Sequence, residues 1–364
     1  MKRFWLTMIL AAGVGAIGGL GIGVFAPDLG QTIDAVGVPQ LLIIGGLSLV
    51  ASLVLHIIIH ECGHLGMGLL SGYRFISFRI FNLMVVKNSQ GGLDFKLFSL
   101  PGTAGQCLLA PPRRDSENFP YKGYLLGGIL ANGMACLICW LSGNISSIFG
   151  AVFFFIGLLS IVTNGIPMQF NDGKTLQLAA KSPENRELLY NSLEVNGLLA
   201  RGMSYTQLPE KLFDPVAAVP EYSYFNAQHD LIRVNRCLEA QEFIRAKILL
   251  EELWQKREQI AVPILVAGVA GELLAVLCLL TPADPRIAEL WQDKTLQQLL
   301  RQPLMGNYRI KALYQKSIMQ DSAAATGLLT TALNAQDKMP TAGDAEMETK
   351  LCSYLLKHWQ NEAA

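Results

Sequence analysis

Charge is what this chain has least of. Of its 364 residues 16% are charged, against roughly 25% in an ordinary soluble domain. Neither sign is in excess, with 29 Lys+Arg against 29 Asp+Glu, which excludes a nucleic-acid binder working through bulk positive charge. A disulfide framework is missing as well. The 7 cysteines are odd in number and scattered, and Cys136 and Cys139 form a C-x-x-C inside an apolar run with no second pair. Histidine is sparse, 5 in all, with none between His64 and His229. In place of these the chain has apolar residues, 51%, and a mean hydropathy of +0.33, which excludes a disordered chain.

The shortage of charge is uneven. Residues 1–173 carry 16 charged side chains and residues 174–364 carry 42, the pattern of a membrane domain followed by a water-exposed one. Apolar runs at about 4–25, 39–70, 124–141 and 148–166 are each long enough for a transmembrane helix. The first is longer than the apolar core of a signal peptide and is expected to stay in place. The segment 71–123 holds seven basic residues, whereas 26–38 and 142–147 hold none. By the positive-inside rule the N-terminus, 71–123 and everything after the fourth run then lie in the cytoplasm. Within 71–112 the aromatic and β-branched residues flank Gly91-Gly92, which predicts a small sheet, lying on the membrane or on the second span.

Residues 174–364 predict helices at 184–202, 206–213, 222–240, 242–258, 261–280, 284–301, 306–320, 322–335 and 345–360, broken by prolines. Such an array, loosely like tetratricopeptide repeats, offers a concave surface for a cytosolic protein or peptide partner. The run 263–280 is long enough for a fifth span, but its Glu272 and the evenly charged tail favour a buried helix of the array. The expected fold is therefore mainly α. Residues 1–180 form a polytopic membrane helix bundle of about four transmembrane helices with a small membrane-associated β-sheet, and residues 181–364 form an all-α, helical-repeat-like cytoplasmic domain.

The chemistry sits in the second span, at His60-Glu61-Cys62-Gly63-His64. Two histidines at i and i+4 lie one turn apart on one helical face, so both imidazoles can reach one metal ion. The adjacent Glu61 can take a proton from an attacking water. Ionisable groups within a membrane helix cost several kcal/mol unless they have a function. Zinc needs a third protein ligand, and the best candidate is Asp172, in Asn164-Gly165-Ile166-Pro167-Met168-Gln169-Phe170-Asn171-Asp172-Gly173. From Leu41 to His60 is 19 residues, about 28 Å at helical rise. From Ile148 to Asp172 is 24 residues, a path that Pro167 shortens by ending the helical ladder. The two sites then fall at similar depth. A plainer reading of Asp172 is an N-cap for the next helix, and of His56 a helix-packing residue or a further polar group near the metal.

These residues resemble the site-2 protease family of intramembrane zinc metalloproteases, which pairs H-E-x-x-H on one span with N-x-x-P-x-x-x-x-D-G on a later one. The resemblance covers roughly residues 40–175. It implies that His60, His64 and Asp172 bind one Zn2+ per chain and that Glu61 is the general base. Gly127-Gly128-Ile129-Leu130-Ala131-Asn132 is similar to the family's Gly-Pro-x-x-Asn element, with Gly in place of Pro. The sequence departs from the family at Gly165, often Pro, and at Asn171, often Leu, and no PDZ domain is recognisable. Asn164 and Asn132 are candidates for hydrogen-bonding the oxyanion or the substrate backbone, or for joining helices. The expected substrate is a membrane-spanning or signal-peptide-derived protein segment. The expected activity is metalloendopeptidase, and the alternative is a non-catalytic membrane scaffold for cytosolic partners.

Overall fold

The computed structural model describes residues 28–88, 90–98, 103–113, 119–168, 170–217, 219 and 221–363. The first expected span, 4–25, lies outside them. The chain runs α1 (Leu29–Asp34), α2 (Val38–Leu70), β1 (Arg74–Ile80), β2 (Leu83–Lys87), β3 (Leu93–Leu97), β4 (Gly105–Ala110), α3 (Tyr121–Leu141), α4 (Ile148–Gly165), α5 (Asp172–Lys181) and α6 (Pro183–Ala200). It continues through α7 (Tyr224–Glu239), α8 (Phe243–Gln255), α9 (Pro263–Leu280), α10 (Arg286–Gln292), α11 (Lys294–Leu300), α12 (Met305–Ser317), α13 (Ser322–Leu333) and α14 (Ala342–Ala363). Two compact units result. One ends its first stretch at Leu70 and resumes over Tyr121–Leu176; the other joins Ser71–Pro120 to Gln177–Ala364.

In the first unit α2, α3 and α4 pack on one another. The amphipathy of α2 is inverted. The buried positions of α2 include Ser48, Ser52, His56, His60, His64 and Gly68, a stripe at four-residue spacing that winds slowly round the helix. Its apolar side chains point outward, with Leu42 72% and Leu47 67% exposed. A water-soluble helix does the opposite. Polar-in and apolar-out is the arrangement expected where the surrounding medium is hydrocarbon. Among the described helices, α2, α3, α4 and α9 are long and apolar enough to cross a membrane.

The second unit contains the sheet. Its strand order is β3-β2-β1-β4, all neighbours antiparallel. The β2–β3 hairpin turns at Gly91, whose φ of 87° is in the left-handed region. Asn88 steadies that turn by accepting from the backbone of Gly92 and donating to Asp94. The sheet packs through β4 on α6, within its own unit: Ile76, Ala110 and Ala200 form one buried cluster. The sheet thus belongs with the C-terminal helices rather than with the apolar helices that flank it in the chain.

The remaining helices follow the expected array with two local differences. The expected 206–213 helix is two 3-10 turns, Tyr205–Gln207 and Glu210–Phe213, separated at Pro209. The expected 284–301 helix divides into α10 and α11 at Asp293, whose side chain accepts from the Leu296 backbone at 2.7 Å and so starts a new helix. Helix α9 is the core. Ten of its residues are buried, Leu273, Leu274 and Leu277 fully, and α8, α11 and α12 pack on it. Its Glu272 receives both oxygens' bonds from Arg309, at 2.8 and 3.0 Å, and Arg309 also donates to Glu348 at 2.7 and 2.9 Å.

Candidate metal centre

The site is built on two elements of the first unit. His60 and His64 project from α2, and Asp172 from the first residue of α5. Nε2 of His60 lies 3.0 Å from Oδ2 of Asp172, Nε2 of His64 lies 3.2 Å from the same oxygen, and the two Nε2 atoms are 3.1 Å apart. Four-coordinate zinc with bonds near 2.05 Å would hold its ligand atoms about 3.3 Å apart. The donor set, two imidazole nitrogens and one carboxylate oxygen, therefore fits zinc in both chemistry and spacing. Among the described residues this is the group of His, Cys, Asp and Glu side chains placed to share an ion. Glu61 is buried beside it.

Close helix contact fixes the spacing. Gly63 and Gly127 face each other across α2 and α3, and a Cβ on either would overlap the other's carbonyl. Gly128 lies under the His60 ring, where a Cβ would sit inside contact distance of three ring atoms. This is the physical content of Gly at that position: a larger residue would displace the His60 ring. His64 is oriented by its second nitrogen, Nδ1, which donates to the Tyr124 carbonyl at 2.7 Å and leaves the Nε2 lone pair turned to the site.

Asp172 is freed for the site by its neighbour. Pro167 has no N–H for the Thr163 carbonyl, so α4 ends with an orphaned acceptor. Asn171 supplies the missing donor: its Nδ2 donates to the carbonyls of Thr163 and Ile166, each at 2.6 Å. The Asn171 Oδ1 accepts from the Lys174 backbone at 2.9 Å, which makes Asn171, not Asp172, the N-cap of α5. Asn171 thus closes the helix break and starts the next helix. Gly173 completes the turn, since a Cβ there would overlap the Gly165 carbonyl.

The two asparagines fall differently from the histidines and the aspartate. Asn164 donates to the Ser160 carbonyl one turn back, at 2.9 Å, on its own helix. Asn132 is fully buried and engaged with His56, His60 and Ser160. His56 is buried on the same stripe as His60 and His64, bonded to Asn132 and to the Phe153 carbonyl. No family model, no curated protein and no solved structure matches the chain.

Proposed function

We propose that the chain is an intramembrane zinc metalloendopeptidase that hydrolyses peptide bonds in membrane-spanning or signal-peptide-derived segments. One observation carries this reading: two imidazole Nε2 atoms and a carboxylate oxygen converge within 3.2 Å of one another beside a buried glutamate, on a helix whose outer surface is apolar. Zinc, when held by His60, His64 and Asp172, supplies a Lewis acid for the scissile carbonyl and lowers the pKa of the attacking water. Glu61 takes the water's proton and returns it to the departing amine. The substrate must be unwound at the site, because a helix keeps its carbonyls in its own hydrogen-bond ladder.

The same reading places α2, α3 and α4 across the membrane and the second unit in the cytoplasm. Helix α9 stays in the second unit on this view, because its apolar residues are already covered by α8, α11 and α12 and its Glu272 by Arg309.

Zinc content and cleavage of a transmembrane peptide, measured on the detergent-purified protein, test the proposal. Wild type is expected to hold one zinc per chain. Glu61→Gln is expected to keep the zinc and lose cleavage by roughly 100-fold or more, the usual share of a general base. Asp172→Ala is expected to lower zinc occupancy; unchanged occupancy would put the third ligand elsewhere. A wild type without stoichiometric metal, binding a cytosolic partner through the second unit, would replace the enzyme with the scaffold reading.

A further inference from the structure

The chemistry above leaves two buried polar residues of the first unit without a task. Asn132, near the middle of α3, is 0% exposed. Its amide spans α2 and α4: Oδ1 lies 2.9 Å from Nδ1 of His56, while Nδ2 lies 3.3 Å from Nδ1 of His60 and 2.7 Å from Oγ of Ser160. The other nitrogen of His56, Nε2, donates to the Phe153 carbonyl at 2.9 Å. Space for this has been left on α4, where a Cβ at Gly157 would run into the His56 ring.

The direction of the amide decides what this chain of contacts does. With Oδ1 on His56, that ring faces an oxygen acceptor at each nitrogen. Both nitrogens must then carry hydrogen, which puts a full positive charge in the apolar interior, and neither of those two partners is a counter-ion. With Nδ2 on His60, that ring must accept at Nδ1. Its hydrogen is then on Nε2, the atom that faces Asp172 and His64, and a protonated Nε2 cannot ligate a metal. The two ends of a carboxamide have the same shape, so the network sets its direction. Reversed, the amide satisfies every partner at the same distances. Nδ2 donates to Nδ1 of a neutral His56, whose Nε2–H donates to Phe153. Oδ1 accepts from Nδ1–H of His60 and from the Ser160 hydroxyl, and Nε2 of His60 presents its lone pair to the site. The outcome for His60 is the one the Tyr124 carbonyl produces for His64.

We infer that Asn132 is a positioning residue of the metal centre: its amide oxygen holds the His60 ring in the ligating tautomer and direction, and His56 sets which way that amide faces. The inference rests on the zinc reading proposed above. It gives Asn132 a task other than binding the oxyanion, since both ends of its fully buried amide are engaged. It also gives His56 a definite part, two bonds away from the metal ligand.

The test combines zinc affinity, by competition with a chelator in detergent, with nitrogen NMR of the imidazoles in the 15N-histidine-labelled, zinc-loaded protein. Asn132→Ala is expected to weaken zinc binding roughly 10- to 100-fold, the usual effect of removing such a partner. Asn132→Asp, which keeps an acceptor for Nδ1–H, is expected to recover most of that loss. In the wild type, His60 is expected to carry hydrogen on Nδ1, and His56 to carry a single hydrogen, on Nε2. Equal zinc affinity in wild type and Asn132→Ala overturns the inference alone, and so does a His56 ring with hydrogen on both nitrogens. A wild type that takes up no zinc overturns the metal reading and the inference with it. If Asn132→Ala does not fold, the wild-type NMR result decides.

Discussion

Helices α2 and α9 satisfy the same criterion of length and hydropathy for crossing a membrane, yet they are built in opposite senses. The buried side of α2 is a row of serines and histidines, and its leucines face outward. The buried positions of α9 are apolar nearly all round, and three neighbouring helices cover them. An apolar helix therefore signals two different surroundings, and the side on which its polar groups lie tells them apart. In α2 the protein supplies the polar interior, and the apolar outer face suits an apolar exterior. In α9 the protein supplies the apolar exterior itself, and the single acid is met by an arginine from α12.

Three measurements can break or sharpen this contrast. The largest effect is expected at Arg309, 2% exposed and shared between Glu272 and Glu348. Arg309→Met leaves two carboxylates buried without their partner and should destabilise the second unit by about 3–5 kcal/mol, read as a drop in the urea midpoint of the full-length protein. An unchanged midpoint would mean that Glu272 finds water, and that α9 is less enclosed than its packing indicates. Next is Leu47→Arg, on the outward face of α2. A guanidinium there costs about 2.5–3.5 kcal/mol if the helix is centred in a bilayer, and carbonate extraction should show weakened integration. Full integration with no loss would argue that this face meets water.

The smallest effect is a pH dependence in the second unit. Glu239 accepts from Lys350 at 2.6 Å and from the Thr206 backbone at 2.8 Å. Burial alone would raise its carboxyl, but the hydrogen bonds from Lys350, Ser204 and Thr206 bring it below the ordinary 4.5. The stabilisation is then complete above 4.5 and is lost as pH falls through the lower folded value. Glu239→Gln should remove about 1 kcal/mol at neutral pH, a modest figure because Lys350 is 38% exposed, and should flatten the acid side of the stability profile. A profile as steep as that of the wild type would assign the acid sensitivity to another carboxyl.

What the sequence made legible divides along physical lines. His60 and His64 were readable because helical periodicity alone puts i and i+4 on one face. Asp172 was readable because helical rise converts residue counts into depth. The task of Asn171 was not, since it depends on a specific orphaned carbonyl, that of Thr163, finding a donor across the break. Signals for it did exist: an asparagine four residues beyond a helix-ending proline, directly before a new helix. The engagement of Asn132 with His56 and His60 involves residues more than 70 apart, beyond the reach of any local pattern. The sheet was legible as strands but not in its partner, because the apolar face of β4 says only that something covers it. Here the cover is α6, seated through Ala110 against Gly197. The division of α10 from α11 turned on one side-chain bond at Asp293, a competition between continuing and restarting a helix that differs by about 1 kcal/mol.

The contact between Gly63 and Gly127 has a mechanical consequence. Each glycine stands one residue from the paired histidines' surroundings, Gly63 before His64 and Gly127 before the Gly128 that underlies His60. The gap between α2 and α3 is thus a gauge, set at the thickness of two backbones with nothing between them. Any residue with a methyl group would widen it, and the widening would be passed directly to the imidazoles rather than absorbed by side-chain repacking. If the site holds zinc as proposed, substitution at these glycines should weaken zinc binding as the helices are forced apart.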